Sequence, residues 1–142
     1  VLAVSTCRPT EQRLDAETAS VREARRAVAD AAAEAVDPDT MEGLLLAASE
    51  VVTNAVEHGA PPIELRIDRA GDRIRVEVRD ASPLPPRVRD EEPTATEVRG
   101  RGMLIVDRCS DRWGVEPYGD DGKAVWFEVD VERDPNASTP PR

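Results

Sequence analysis

The 142-residue chain reads as an α+β two-layer sandwich, a mixed or antiparallel sheet covered on one face by helices, and three observations carry that reading. Two long segments repeat apolar residues at helical spacing, and two pairs of short segments alternate apolar and polar residues with period two. The order helix, helix, strand, strand, loop, helix, strand, strand favours segregated layers over alternating βαβ units. The length suffices for one hydrophobic core but not for two.

The first helix is expected from Thr18 to Ala35, where Val21, Ala24, Val28, Ala31, Ala32 and Ala35 share one face and Arg and Glu occupy the other. Asp37-Pro38-Asp39-Thr40 then stops that helix and caps a second, whose Leu44, Leu45, Ala48, Val51, Val52, Ala55 and Val56 form a wide apolar surface ending at Gly59-Ala60-Pro61-Pro62. Ile63 to Ile67 and Ile74 to Val78 alternate around the turn residues Arg69-Ala70-Gly71-Asp72, an antiparallel hairpin with one wet face. After Asp80 the pattern dissolves into Pro83, Pro85, Pro86 and Pro93 among charges, and periodicity returns only at Gly102 to Val106. A loop of about twenty residues inside a compact domain is commonly a functional lid, and a short helix follows it. Trp113-Gly114-Val115 and Lys123 to Val129 bracket Tyr118-Gly119-Asp120-Asp121-Gly122, a second hairpin whose strand aromatics are assigned to core packing. Residues 1–13 read as an N-terminal extension that could add an edge strand, and the polar, Pro-containing stretch 132–142 reads as a disordered tail.

A net charge of -10 argues against nucleic acid or an anionic membrane as partner, because phosphate-binding surfaces need concentrated basic charge. Cys7 and Cys109 form no metal-ligand spacing and no disulfide framework. Val1-Leu2-Ala3-Val4 is too short for a signal-peptide core and no segment approaches the roughly 20 apolar residues of a membrane span, so a cytoplasmic location is expected.

Chemistry concentrates on the second helix. Glu50, Asn54 and His58 recur at spacing four and share one face. Such a stripe is either the solvated side of an amphipathic helix or the wall of a site; Asn54, a poor helix former placed mid-helix, favours the wall. His58 precedes Gly59 and also suits the carbonyl end of a helix. Gly100-Arg101-Gly102 opens the third helix, where free amides and the positive dipole end suit an anion, although two glycines also serve as a simple cap. Asn54 and Glu50 supply hard oxygens of the kind Mg²⁺ accepts beside phosphate oxygens and water. Together these describe a site for a magnesium nucleotide. A zinc hydrolase using Glu50 and His58 is disfavoured, because catalytic zinc normally takes three protein ligands and the chain has one histidine.

Glu50-xxx-Asn54-Ala55-xx-His58-Gly59, then Asp80 at a strand end, then Gly100-Arg101-Gly102-Met103, resembles the ATP-binding fold shared by gyrase-type topoisomerases, sensor histidine kinases and mismatch-repair ATPases. Within that superfamily the chain is most similar to stand-alone anti-sigma-factor serine/threonine kinases, over roughly residues 14 to 131. The resemblance implies ATP and Mg²⁺ as cofactors, with Asn54 on the metal and Glu50 as general base for an attacking hydroxyl. It implies that Asp80 accepts from the adenine amino group, that Gly100, Arg101, Gly102 and Met103 surround the phosphates, and that the loop is an ATP lid. The glycine box that usually follows the aspartate reads Asp80-Ala81-Ser82-Pro83-Leu84 here, with Ser82 in the first glycine's place and the stiffer Pro83 after it. A threonine that the family often places near adenine has Ala124 as its expected counterpart. The implied function is phosphorylation of an anti-sigma-factor antagonist and sequestration of a sigma factor, and a homodimer is left open. The competing class is a non-catalytic module in which nucleotide only shapes a protein-binding surface.

Overall fold

The computed structural model describes residues 9–83 and 97–131, the side chains of 97–102 excepted; most of the predicted lid, the first eight residues and the predicted tail lie outside the described residues. In chain order the elements are β1 (Thr10–Leu14), α1 (Ala19–Ala32), α2 (Pro38–His58), β2 (Ile63–Ala70), β3 (Arg73–Asp80), α3 (Glu97–Cys109), β4 (Arg112–Pro117) and β5 (Lys123–Asp130), with a 3₁₀ turn at Gly119–Asp121. The sheet has the order β1-β2-β3-β5-β4 and every pairing among the described residues is antiparallel, so the mixed alternative falls away. Both expected hairpins are present, β2–β3 and β4–β5, and β5 rather than β4 lies beside β3.

Period two decides the faces. Ile63, Leu65 and Ile67 on β2, Ile74, Val76 and Val78 on β3, and Val125, Phe127 and Val129 on β5 are buried against the helices. Ala24, Val28 and Ala32 of α1 and Leu44, Ala47, Ala48, Val51, Val52 and Ala55 of α2 meet them from the other layer. The start of α2 is fixed locally: Asp37 Oδ1 accepts from the Thr40 amide at 2.7 Å, and Pro38 occupies the first turn, where its missing N–H costs nothing.

Three expectations are corrected. The first helix ends at Ala32 rather than Ala35, because Glu34 turns into the left-handed region (φ 72°) to aim the chain at the Asp37 cap. The third helix starts at Glu97, which places Gly100, Arg101 and Gly102 inside its opening turns instead of ahead of them. Of the strand aromatics, Phe127 is fully buried and Trp113 packs on the core with its indole N–H on Asp107, but Trp126 lies on the other face. There its ring carries the Arg75 guanidinium at 4.3 Å and fills the space that Gly114 leaves, since a Cβ at Gly114 would come within 2.8 Å of it. Adjacent positions in a strand face opposite ways, so Trp126 and Phe127 could not both be core.

Candidate functional site

The crevice lies where the C-terminal half of α2 crosses the ends of β3 and β5. Helical spacing sets Glu50 and Asn54 one turn apart on α2, both half-buried, while the neighbouring Val51, Val52 and Ala55 are anchored in the core. Burial pushes the Glu50 carboxyl above its ordinary range, and the nearby Glu57 charge adds to the shift. Asn54 points its amide nitrogen at the buried Met103 thioether, 3.6 Å away, tying α2 to α3. A thioether accepts only weakly, so this contact places the amide without saturating it. Cys109 is half-buried beside Gly43 of α2 and burial pushes its thiol up, the environment of a packing residue rather than a nucleophile.

Asp80 ends β3 on the inner face and is the best-held acid of the crevice. Its Oδ1 accepts from the Ser82 amide at 2.7 Å, and Lys123 Nζ lies 3.1 Å from Oδ1 and 3.0 Å from Oδ2. Lys123 Nζ also donates to the Ser82 carbonyl at 3.4 Å. The Asp80 and Lys123 side chains are 2 % and 6 % exposed. Glycines on two sides permit this burial. A Cβ at Gly59 would stand 2.6 Å from the Asp80 carboxyl carbon, and one at Gly122 (φ 116°) would stand 2.1 Å from the Asp80 carbonyl oxygen. The Ala81 amide closes the corner by donating to the Ala60 carbonyl at 2.7 Å.

Val51, Asn54, Ala55, His58, Val78, Asp80, Lys123 and Val125 line a cavity of about 10 Å³, room for about one water molecule. The fold therefore gathers Asn54, His58 and Asp80 around one space. Glu50 is one turn further along α2, outside that lining. Ser82 reaches Asp80 and Lys123 through its backbone, and Met103 sits in the core with its sulfur on Asn54. Gly100, Arg101 and Gly102 are placed by their helix alone.

Lys123 was missed by sequence reasoning. A signal existed: it is the chain's only lysine among nineteen basic residues, and it occupies the inward phase of β5 set by Val125 and Phe127. Register then pairs Lys123 with Asp80, whereas Ala124 pairs with Arg79 and faces the opposite side of the sheet. Ala124 is consequently not the inward neighbour of Asp80; alternation removes it.

A family model described as Histidine kinase-like ATPase domain matches residues 14–129. The chain belongs to that family. Among relatives of this histidine kinase-like ATPase domain, an uncharacterized protein of Streptomyces coelicolor, SCO4941, is 33% identical over 76 residues, which cover 51% of this chain and 71% of that protein. The RsbU and RsbW domains of Rv1364c from Mycobacterium tuberculosis superpose with a TM-score of 0.68 at 22% identity, over 89% of this chain and 33% of that one. A blue-light activated histidine kinase of Erythrobacter litoralis EL346 gives a TM-score of 0.50 through its histidine kinase domain, at 21% identity, over 79% of this chain and 59% of that one. At these identities the two structural likenesses are likenesses of fold, and this chain spans a third and three-fifths of the respective neighbours. No helix among the described residues is long and apolar enough to cross a membrane.

The donor set suits the group that the family implies. Asn54 offers an amide oxygen and Glu50 a carboxylate, hard ligands for Mg²⁺ that is otherwise held by phosphate and water. Asp80 is an acceptor suited to an exocyclic amine. As packed, however, the Asp80 end has no space for a purine, because the Lys123 ammonium lies there.

Proposed function

We propose that this domain is an ATP-dependent protein serine/threonine kinase of the anti-sigma-factor type, acting on an antagonist protein and holding a sigma factor as its second partner. One observation carries the reading: Asn54 shares a cavity lining with the buried acceptor Asp80, and the half-buried Glu50 stands one turn from Asn54 on α2. Bound ATP would supply the transferable phosphoryl group and Mg²⁺ the charge that neutralises it. Asn54 would hold the metal, and Asp80 would select a base that presents an amine. Glu50, its proton affinity raised by burial, would take the proton from an incoming serine or threonine hydroxyl, since a base works best when its pKa approaches the working pH. The likeness to the RsbU and RsbW domains of Rv1364c supports assigning protein partners.

The closed Asp80 end favours a second reading, a non-catalytic module that binds the same partners without transferring phosphate. Incubating the domain with radiolabelled Mg-ATP and a candidate antagonist separates the two. Label on the antagonist with the domain, and none with Glu50→Ala, is the expected result; equal labelling by both would remove Glu50 from the mechanism. Partner binding without labelling would favour the module.

A further inference from the structure

A buried ion pair is an expensive way to fill a cavity wall, because two desolvated charges seldom outperform two apolar side chains of the same size. Here the pair sits where Val78 and Val125, the preceding inward pair of the same ladder, show that apolar residues would pack. It also uses the chain's only lysine, while all other basic positions are arginine. An ammonium on a flexible four-carbon stem is a compact donor that can leave a carboxylate more readily than a planar guanidinium forked onto it. The chain beside Lys123 offers it a destination, since the exposed acidic residues Asp120 and Asp121 lie in the adjoining turn.

On these grounds we propose that Lys123 is an internal gate of the base pocket: its ammonium holds the Asp80 carboxylate in place of a nucleobase amine, and an adenine enters only by displacing it. The inference rests on the nucleotide reading above and adds a specificity residue to it. Adenine and the ammonium are both hydrogen-bond donors toward the same oxygens, so they compete for Asp80. Guanine presents an oxo acceptor at the corresponding position of its ring, which a carboxylate does not welcome and which gains nothing when Lys123 is removed.

Titration calorimetry of Mg-ADP and Mg-GDP on the whole chain, with Lys123→Ala, Lys123→Gln and Asn54→Ala, tests the gate. Lys123→Ala should bind Mg-ADP at least about tenfold more tightly than the unaltered protein, with Mg-GDP unchanged, so that the adenine-to-guanine ratio rises. Lys123→Gln keeps a neutral donor for Asp80 and protects folding, and it should fall between the two; should the alanine variant fail to fold, Gln alone decides. Mg-ADP affinity equal in the unaltered and Lys123-substituted proteins, or a rise shared equally by both nucleotides, would overturn the gate while leaving the nucleotide reading in place. Absence of Mg-ADP binding that depends on Asn54, in every Lys123 variant, would overturn the nucleotide reading and the gate with it.

Discussion

Near one end of the β3–β5 pair, on the face that the helices cover, Asp80 is buried against a single lysine; near the other end, on the uncovered face, Glu128 is buried against three arginines. Arg112 Nε reaches Glu128 Oε1 at 2.8 Å, Arg75 reaches Oε2 at 3.1 Å and Arg73 reaches Oε1 at 3.3 Å. Arg75 is further held by Glu77 and by the Trp126 ring, and Arg112 by Asp130 at 2.6 Å. Arg75 and Arg112 thus each have a second anchor, and with three guanidinium groups on one carboxylate the Glu128 network is over-determined. Asp80 has one cation and one backbone amide. The same strand pair carries a carboxylate locked for structure and a carboxylate held by one removable partner, and only the latter faces a cavity with Asn54.

The sharpest break in that comparison is Asp80→Ala. It strands the Lys123 ammonium in a nearly water-free corner, and loss of one member of a buried pair costs about 3–5 kcal/mol. Adding Lys123→Met should return most of that loss, because an apolar pair then replaces the charged one. Urea unfolding of the two single variants and the double variant measures the coupling; additive losses would mean that the two groups do not interact.

Glu128→Gln should cost less, roughly 1–3 kcal/mol. The amide keeps some hydrogen bonding, and the arginines, each more than a quarter exposed, can turn to water. Here pH gives an independent reading. Hydrogen bonding from Arg112, then from Arg75, with the Arg73 charge behind them, holds the Glu128 carboxyl below its ordinary 4.5 against the opposing effect of burial. A carboxylate depressed in the folded state contributes stability above its unfolded pKa, and that contribution disappears as pH falls through the folded one. The gap between Glu128→Gln and the unaltered protein should therefore be constant above about pH 5 and shrink below 4.5. A gap that persists into strong acid would show that the network is held by geometry and not by charge.

Local signals carried much of this architecture. The cap at Asp37, the helical stripe of α2 and both hairpins follow from patterns local in sequence, and the one-turn spacing of Glu50 and Asn54 follows from the helix. What required the fold was register. Nothing in the string Lys123-Ala124-Val125-Trp126 says that Lys123 meets a residue 43 positions earlier, or that Gly122 must lack a Cβ because the Asp80 carbonyl passes beside it. The same non-locality misdirects Ala124 and Trp126: the family resemblance points to the first and aromatic character to the second, whereas the face each takes depends on the phase that Phe127 imposes.

The smallest expected effect has the opposite sign and belongs to the crevice. Burial raises the Glu50 carboxyl pKa, with Glu57 contributing, so the folded protein disfavours the ionised form that the unfolded chain carries freely. A raised carboxyl pKa means that the native state binds more protons between the two values, and stability then falls as pH rises toward the folded pKa. Glu50→Gln removes that titration. The variant should be slightly more stable than the unaltered protein at neutral pH, with the advantage vanishing as pH drops below 4.5. Matched thermal melts across that range decide it, and a variant less stable at neutral pH would show that Glu50 is a packing residue. Stabilisation combined with lost phosphate transfer is the pattern of a residue kept for chemistry at the expense of the fold, and it would set Glu50 apart from Glu128, whose removal only weakens the sheet.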